Sequence, residues 1–210
     1  MATTALMQAL SVAGAAFAPD WGDELAMQRG GQVRVKQLRP DLWRVSYSCS
    51  ALSHADLRSI MGLIADLGGS RQTFHGWDPA GQYPRNDPLG TGLGAATVQI
   101  NSLNADNQRL SLKGLPASYA LLSRGDYLSF DYGAGPSRAF HQIRTATVAA
   151  NGSGVTPEFY VAPNIRTGAS VNAVVTLKQP AAEFMIAPGS IDARAERNFA
   201  RLSFDAVQVI

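Results

Sequence analysis

Apolar residues in this chain recur at the two-residue spacing of a strand in most segments and at helical spacing in one, which restricts it to a sheet-based fold with one packed helix. Trp43, Val45, Tyr47 and Cys49 alternate with Arg44, Ser46 and Ser48, so one face of that strand is apolar and the other polar. Val33 and Val35 alternate with Arg34 and Lys36 just upstream. Arg39-Pro40-Asp41 lies between the two runs and has turn chemistry, so the pattern predicts a β-hairpin joining them.

The helical segment follows at once. Ser53 is placed to cap it, and Asp56 sits in the first turn, where the helix dipole favours an acid. Leu57, Ile60, Met61, Ile64 and Leu67 share one face, and Gly68-Gly69 ends the helix with residues free to turn left-handed. A short strand over Gln72 to Trp77 completes an order of strand, strand, helix, strand.

Turn formers crowd the stretch from Asp78 to Gly94, which predicts a long surface loop or a boundary. Asp78, Tyr83, Asn86, Leu89 and Leu93 are its candidate partner contacts. From Ala95 to Gln179, short apolar runs are separated by turn signals such as Asn104-Ala105-Asp106-Asn107 and Asn151-Gly152, with no helical pattern between them. That spacing suggests a small barrel or sandwich. After Glu183, Phe184, Ile186, Leu202, Phe204 and Val207 predict a return to the first sheet. The expected architecture is mainly β with one helix: an arm over 1–27, a β-sandwich with helix over 28–85 and 183–210, and an inserted β-barrel over 86–182.

With 16% of its 210 residues charged, the chain is poor in charge beside the roughly 25% of an average soluble domain. It therefore has a large core or surface meant for burial against partners. The net charge of +2 is spread among acids and forms no basic stripe for phosphates, so sequence-specific nucleic-acid binding is not expected. The lone Cys49 leaves no internal disulfide and fits synthesis in a reducing cytoplasm. Ala5 to Ala18 is apolar, but no Lys or Arg precedes Arg29, so the stretch is expected to be an arm that packs on a neighbour and not a signal peptide. No run approaches the roughly 18 apolar residues of a membrane span.

Reactive constellations do not emerge. His54, His75 and His141 lie near no glycine-flanked serine, and Cys49 belongs to an apolar strand face. No metal-ligand spacing is present, and neither a metal nor any other cofactor is expected. Gly90-Thr91-Gly92-Leu93-Gly94-Ala95 imitates a dinucleotide fingerprint, but a strand follows it where that motif needs a helix. Asp126 and Asp131 are not forced together as a glycosidase pair. Trp21, Trp43 and Trp77 could form a sugar-stacking platform, although the strand patterns around Trp43 and Trp77 favour the core.

The order of these features resembles the distal-tail class of tail-tip proteins from siphovirus-type bacteriophages and prophages. The resemblance is carried by the Trp43 hairpin, the helix ending at Gly68-Gly69, and Phe74-His75-Gly76-Trp77-Asp78-Pro79. It continues through Leu121-Leu122-Ser123-Arg124-Gly125-Asp126-Tyr127-Leu128, Asn151-Gly152, Pro163 with Ile165-Arg166, and Glu183-Phe184-Met185-Ile186. It implies a virion tail protein made in the host cytoplasm. That protein would form a ring, usually sixfold, with copies of itself between the tail tube and the tip or hub proteins. DNA would only pass through the channel, with no membrane insertion and no enzymatic activity. The chain is short for a member with a large carbohydrate-binding-like outer domain. A carbohydrate-binding module for host attachment is the alternative expectation.

Overall fold

The computed structural model describes residues 3–134 and 137–210, and the chain is mainly β. In chain order it contains α1 (Ala5–Ala9), β1 (Gly14–Asp20), β2 (Asp23–Met27), β3 (Val33–Gln37), β4 (Leu42–Leu52), α2 (His54–Asp66) and β5 (Phe74–Gly76). A 3-10 turn over Pro79–Gly81 leads to β6 (Val98–Leu103), β7 (Arg109–Lys113), β8 (Leu122–Ser123), β9 (Tyr127–Tyr132) and β10 (Ser137–Ile143). The chain continues with β11 (Thr147–Val148), β12 (Phe159–Ala162), β13 (Val174–Thr176), β14 (Ala182–Ile186), β15 (Asp192–Ala195) and β16 (Ala200–Gln208).

Two cores result. An antiparallel sheet runs β1-β4-β16-β14-β5, with β15 paired to the first half of β16. The eleven-residue β4 buries Trp43, Val45, Tyr47 and Cys49 and exposes Arg44, Ser46, Ser48 and Ser50, as its alternation predicts. Because that second face is polar, only one side of the sheet needs covering. Ile60, Ile64 and Leu67 of the α2 region supply the cover, with Leu6, Met7 and Leu10 from the α1 region. The α2 cap forms as predicted: the Ser53 hydroxyl accepts the Asp56 amide at 3.0 Å, and Gly68 follows the helix at a φ of 62°. The second core fills a closed barrel in the order β10-β12-β7-β6-β13-β9, around Ile100, Leu110, Leu112, Leu128, Phe159 and Val161.

The sheet resumes at β14 after the barrel, so the barrel is inserted between strands of one sheet. Aromatic rings from two barrel strands enter the core of the sheet and so join the two units. Phe17 of β1 lies 6.5 Å from Trp43 and 6.0 Å from Phe140 of β10, and Trp43 meets Phe140 edge-on at 5.5 Å. Tyr127 of β9 stacks on Phe140 at 5.0 Å, and the Trp43 indole donates to the Phe140 carbonyl at 2.9 Å.

Two expectations need correction. The segment 1–27 is not an arm as a whole: from residue 3 to 20 it is part of the sheet core, with Leu6 fully buried and β1 paired along its length with β4. Deleting 2–18 would therefore remove core side chains and an edge strand, although Ala2 itself lies outside the described residues. The second correction concerns the hairpin. Val33 and Val35 do pair in a hairpin, but with Met27 and Leu25 of β2 and not with β4. The Gly30-Gly31 turn, with Gly31 at a φ of 80°, closes it, while the Pro40 segment is only a connector.

Candidate assembly surface

The β2–β3 ribbon pairs with no other strand among the described residues, and all ten of its strand residues are exposed. Directly opposed residues share a face. Leu25 with Val35 and Met27 with Val33 make one face apolar beyond the Asp23–Gln37 pair at its root, while Glu24 with Lys36 and Ala26 with Arg34 make the other polar. Leu25 is 68% exposed and Met27 80%. Trp21 and Leu38 add apolar surface at the root. An isolated two-stranded ribbon is marginally stable in water, and apolar side chains clustered on one exposed face are a common mark of a contact surface.

The root of the ribbon is fixed. Asp20 accepts Arg39 and Arg44, each at 2.5 Å. The Arg39 hydrogen bond is the main influence holding the Asp20 carboxyl down at about 2, against an opposing effect of burial. Gly22, at a φ of 62°, lies so close to Arg39 that an added Cβ would stand 2.7 Å from its carbonyl oxygen. The Leu38 amide donates to the Gly22 carbonyl at 2.9 Å, and Arg166 reaches from the barrel to the Asp41 carbonyl at 2.8 Å. The ribbon is thus a projecting element on an anchored base.

The five candidate contacts of the long loop separate. Leu89 is 77% exposed, Tyr83 is partly exposed and Asn86 is exposed. Asp78 is half-buried and accepts the Ala80 amide at 2.9 Å to cap the 3-10 turn. Leu93 belongs to the barrel core and so offers no side-chain surface to a partner. Buried Asp87 organises this segment by accepting the amides of Gly92 at 3.0 Å and Leu93 at 2.9 Å and the Tyr119 hydroxyl at 3.1 Å. Burial works to raise its carboxyl pKa, but these donors outweigh burial and hold it below the ordinary range. The Gly92 and Leu93 amides of the glycine-rich motif are therefore occupied by the Asp87 carboxylate.

A cleft of about 540 Å³ lies between this loop and the turn before β9, lined by residues that include Asp78, Tyr83, Arg85, Arg124 and Tyr127. Arg85 and Arg124 were not singled out by sequence, since nothing local marks residues so distant in the chain as neighbours. The residues weighed for chemistry do not converge. His54 bonds the Glu196 carbonyl at 2.8 Å, and Asp131 pairs with Arg138 at 2.8 Å. Asp126 accepts the amides of Arg85 at 2.8 Å and Ser123 at 2.7 Å. Burial raises the Cys49 thiol, which is the unreactive direction. Among the described residues no group of three or more His, Cys, Asp or Glu is placed to hold a metal ion, and no helix is long and apolar enough to cross a membrane.

His141, in the barrel wall, gives a pH prediction. Its ring is buried and stacks on Phe130 at 5.4 Å, and Nδ1 meets the Pro163 carbonyl at 2.8 Å. Burial pushes its pKa down to about 4, with the Pro163 bond opposing and the Arg166 charge reinforcing. An unfolded histidine titrates near 6.5, so between those values the unfolded chain binds a proton that the folded chain refuses. Stability is expected to fall as pH drops from 6.5 towards 4, by up to about 1.4 kcal/mol per unit from this group. Denaturant melts across that window should show a shallower slope for His141→Phe; an identical slope would remove His141 as the cause.

Compared with known proteins, the sequence matches no family model and no curated protein.

Proposed function

We propose that this chain is a structural component of a phage tail tip, which forms or joins a ring between the tail tube and the tip or receptor-binding parts. The observation that carries the reading is the anchored ribbon with an exposed apolar face, a shape suited to a neighbour and of no use to a solitary chain. Ring closure needs a heterologous contact, one surface of each copy meeting a different surface of the next. A projecting ribbon meets that need because it cannot fold back onto its own root. The low charge of the chain and its resemblance to distal-tail proteins support the same role, with copies of itself and neighbouring tail proteins as partners and the virion tail as its location.

The test is a mass measurement with negative-stain imaging of the purified chain, alone and mixed with candidate tail-tube and hub proteins. Particles at integral multiples of 22.3 kDa with rotational symmetry are expected. A chain that stays monomeric at micromolar concentration in every mixture would overturn the role.

A further inference from the structure

One barrel strand belongs to both halves of the molecule. Along β10, Ala139 and Ile143 pack in the barrel core, while Phe140 between them packs in the sheet core. β10 also lies beside β14, and just before β14 the Ala181 amide donates to the Ser129 hydroxyl of β9 at 3.3 Å. Any separation of barrel from sheet therefore has to move β10.

A histidine acts on each side of that strand. His141 belongs to its barrel face, with Leu128 of β9 opposite it and Phe130 stacked on its ring. A carbonyl can only accept, so Nδ1 donates to the Pro163 carbonyl at 2.8 Å and Nε2 is the nitrogen left to take a proton. His75 of β5 lies directly opposite Glu183 of β14, and alternation turns both away from the core face that holds Phe74 and Phe184. Arg138 of β10 and Asp131 of β9 are near enough to act on its charge. Glu183 accepts the Thr73 hydroxyl at 3.2 Å, and Asp131 is paired with Arg138 at 2.8 Å. Nε2 of His141 and Nδ1 of His75 are both shielded from solvent, and neither has a hydrogen-bond partner among the described residues.

A neutral imidazole tolerates one bare nitrogen, because that nitrogen only accepts. Protonation turns it into a donor with nothing to receive its hydrogen, and adds a charge where burial makes charge costly. Burial is the main influence holding both rings neutral. At His75 the Arg138 charge reinforces it, against Glu183 and Asp131. At His141 the Pro163 bond opposes it and the Arg166 charge reinforces it. A charged His75 would repel Arg138 and compete with it for Asp131, and a charged His141 would leave an unpaired proton inside the barrel wall. With the joint open, both rings meet water and titrate near 6.5. Below that pH the open form binds protons that the closed form refuses, so acid favours opening.

We propose that His75 and His141 make β10 a pH-sensitive joint, whose protonation releases this strand from the barrel wall and the sheet while the rest of each unit stays paired. The joint is independent of the role proposed for the ribbon.

Hydrogen exchange of the purified full chain at pH 7.5 and pH 5.0, corrected for the intrinsic pH dependence of amide exchange, tests this. Protection of the β10 amides is expected to fall at pH 5.0 by about tenfold or more. The β4–β16 and β6–β7 pairings should keep theirs. His75→Gln and His141→Phe should each reduce the loss, and the double variant should abolish it. His141→Gln, also neutral at both pH values, replaces His141→Phe if that variant does not fold. Undiminished protection of β10 in the parent overturns the proposal, and so does an equal loss at β4–β16, which would mean global unfolding. A double variant that loses as much as the parent, or one single variant that abolishes the whole loss, overturns it too.

Discussion

Replacing Leu25, Met27, Val33 and Val35 together by threonine is expected to abolish assembly while leaving the fold intact. Threonine keeps the strand preference of the ribbon, so its pairing survives. None of the four side chains contributes to either core, and exposed substitutions of this kind change stability within about 0.5 kcal/mol each. Full burial of such a side chain is worth about 1.5–3 kcal/mol, so losing part of that at four positions removes roughly 4–6 kcal/mol from an association that uses this face. At about 1.4 kcal/mol per tenfold, the assembly constant drops by roughly a thousandfold or more. The polar face is the control: Glu24→Gln with Lys36→Gln leaves the apolar face as it was. Mass measurement of both variants at matched concentration checks the result. Assembly that survives the four threonines would show that the ribbon is not the contact.

The same ribbon shows how far the sequence could be read. Period-two alternation identified Val33 and Val35 as strand residues, and that much follows from local chemistry. It does not identify the partner strand. Two turn signals flanked the run, Gly30-Gly31 before it and Pro40 after it, and only tertiary packing chooses between them. The long alternating strand, the capped helix and the six-stranded barrel were legible because each repeats its signal over many residues. Leu6, Met7 and Leu10 were not, because a five-residue helix is too short to establish a period. Leu93 was misplaced for a related reason, since nothing in a glycine-rich loop says that one leucine turns inward once Asp87 has captured its amide. The cleft was invisible because Arg85 and Arg124, far apart in the chain, line it together only once the long loop packs on the turn before β9.

Trp43→Ala is expected to cost about 3–5 kcal/mol, the range for deleting a large buried aromatic side chain. The position is 2% exposed and packs edge-on against Phe140 and Tyr127. The loss has a second part, because the Phe140 carbonyl gives up its indole donor at 2.9 Å and an unpaired buried acceptor costs about 1–3 kcal/mol. Trp43→Phe keeps a smaller aromatic ring and discards the donor, so it retains part of the packing while losing the hydrogen bond. Trp43 belongs to the sheet, whereas Phe140 and Tyr127 come from barrel strands and pack into the same core, so the alanine variant also weakens the joint between sheet and barrel. Each core then melts more independently. The single thermal transition expected of the intact protein should split or broaden, with the sheet unit unfolding first because the cavity opens on its side. Calorimetry of the three proteins decides the matter: an alanine variant within 1 kcal/mol of the parent and with one sharp transition would mean that the aromatic joint carries no coupling. The joint matters for the proposed role because a ribbon fixed to the sheet passes load to the barrel through these rings as well as through the Arg166 bond to the Asp41 carbonyl.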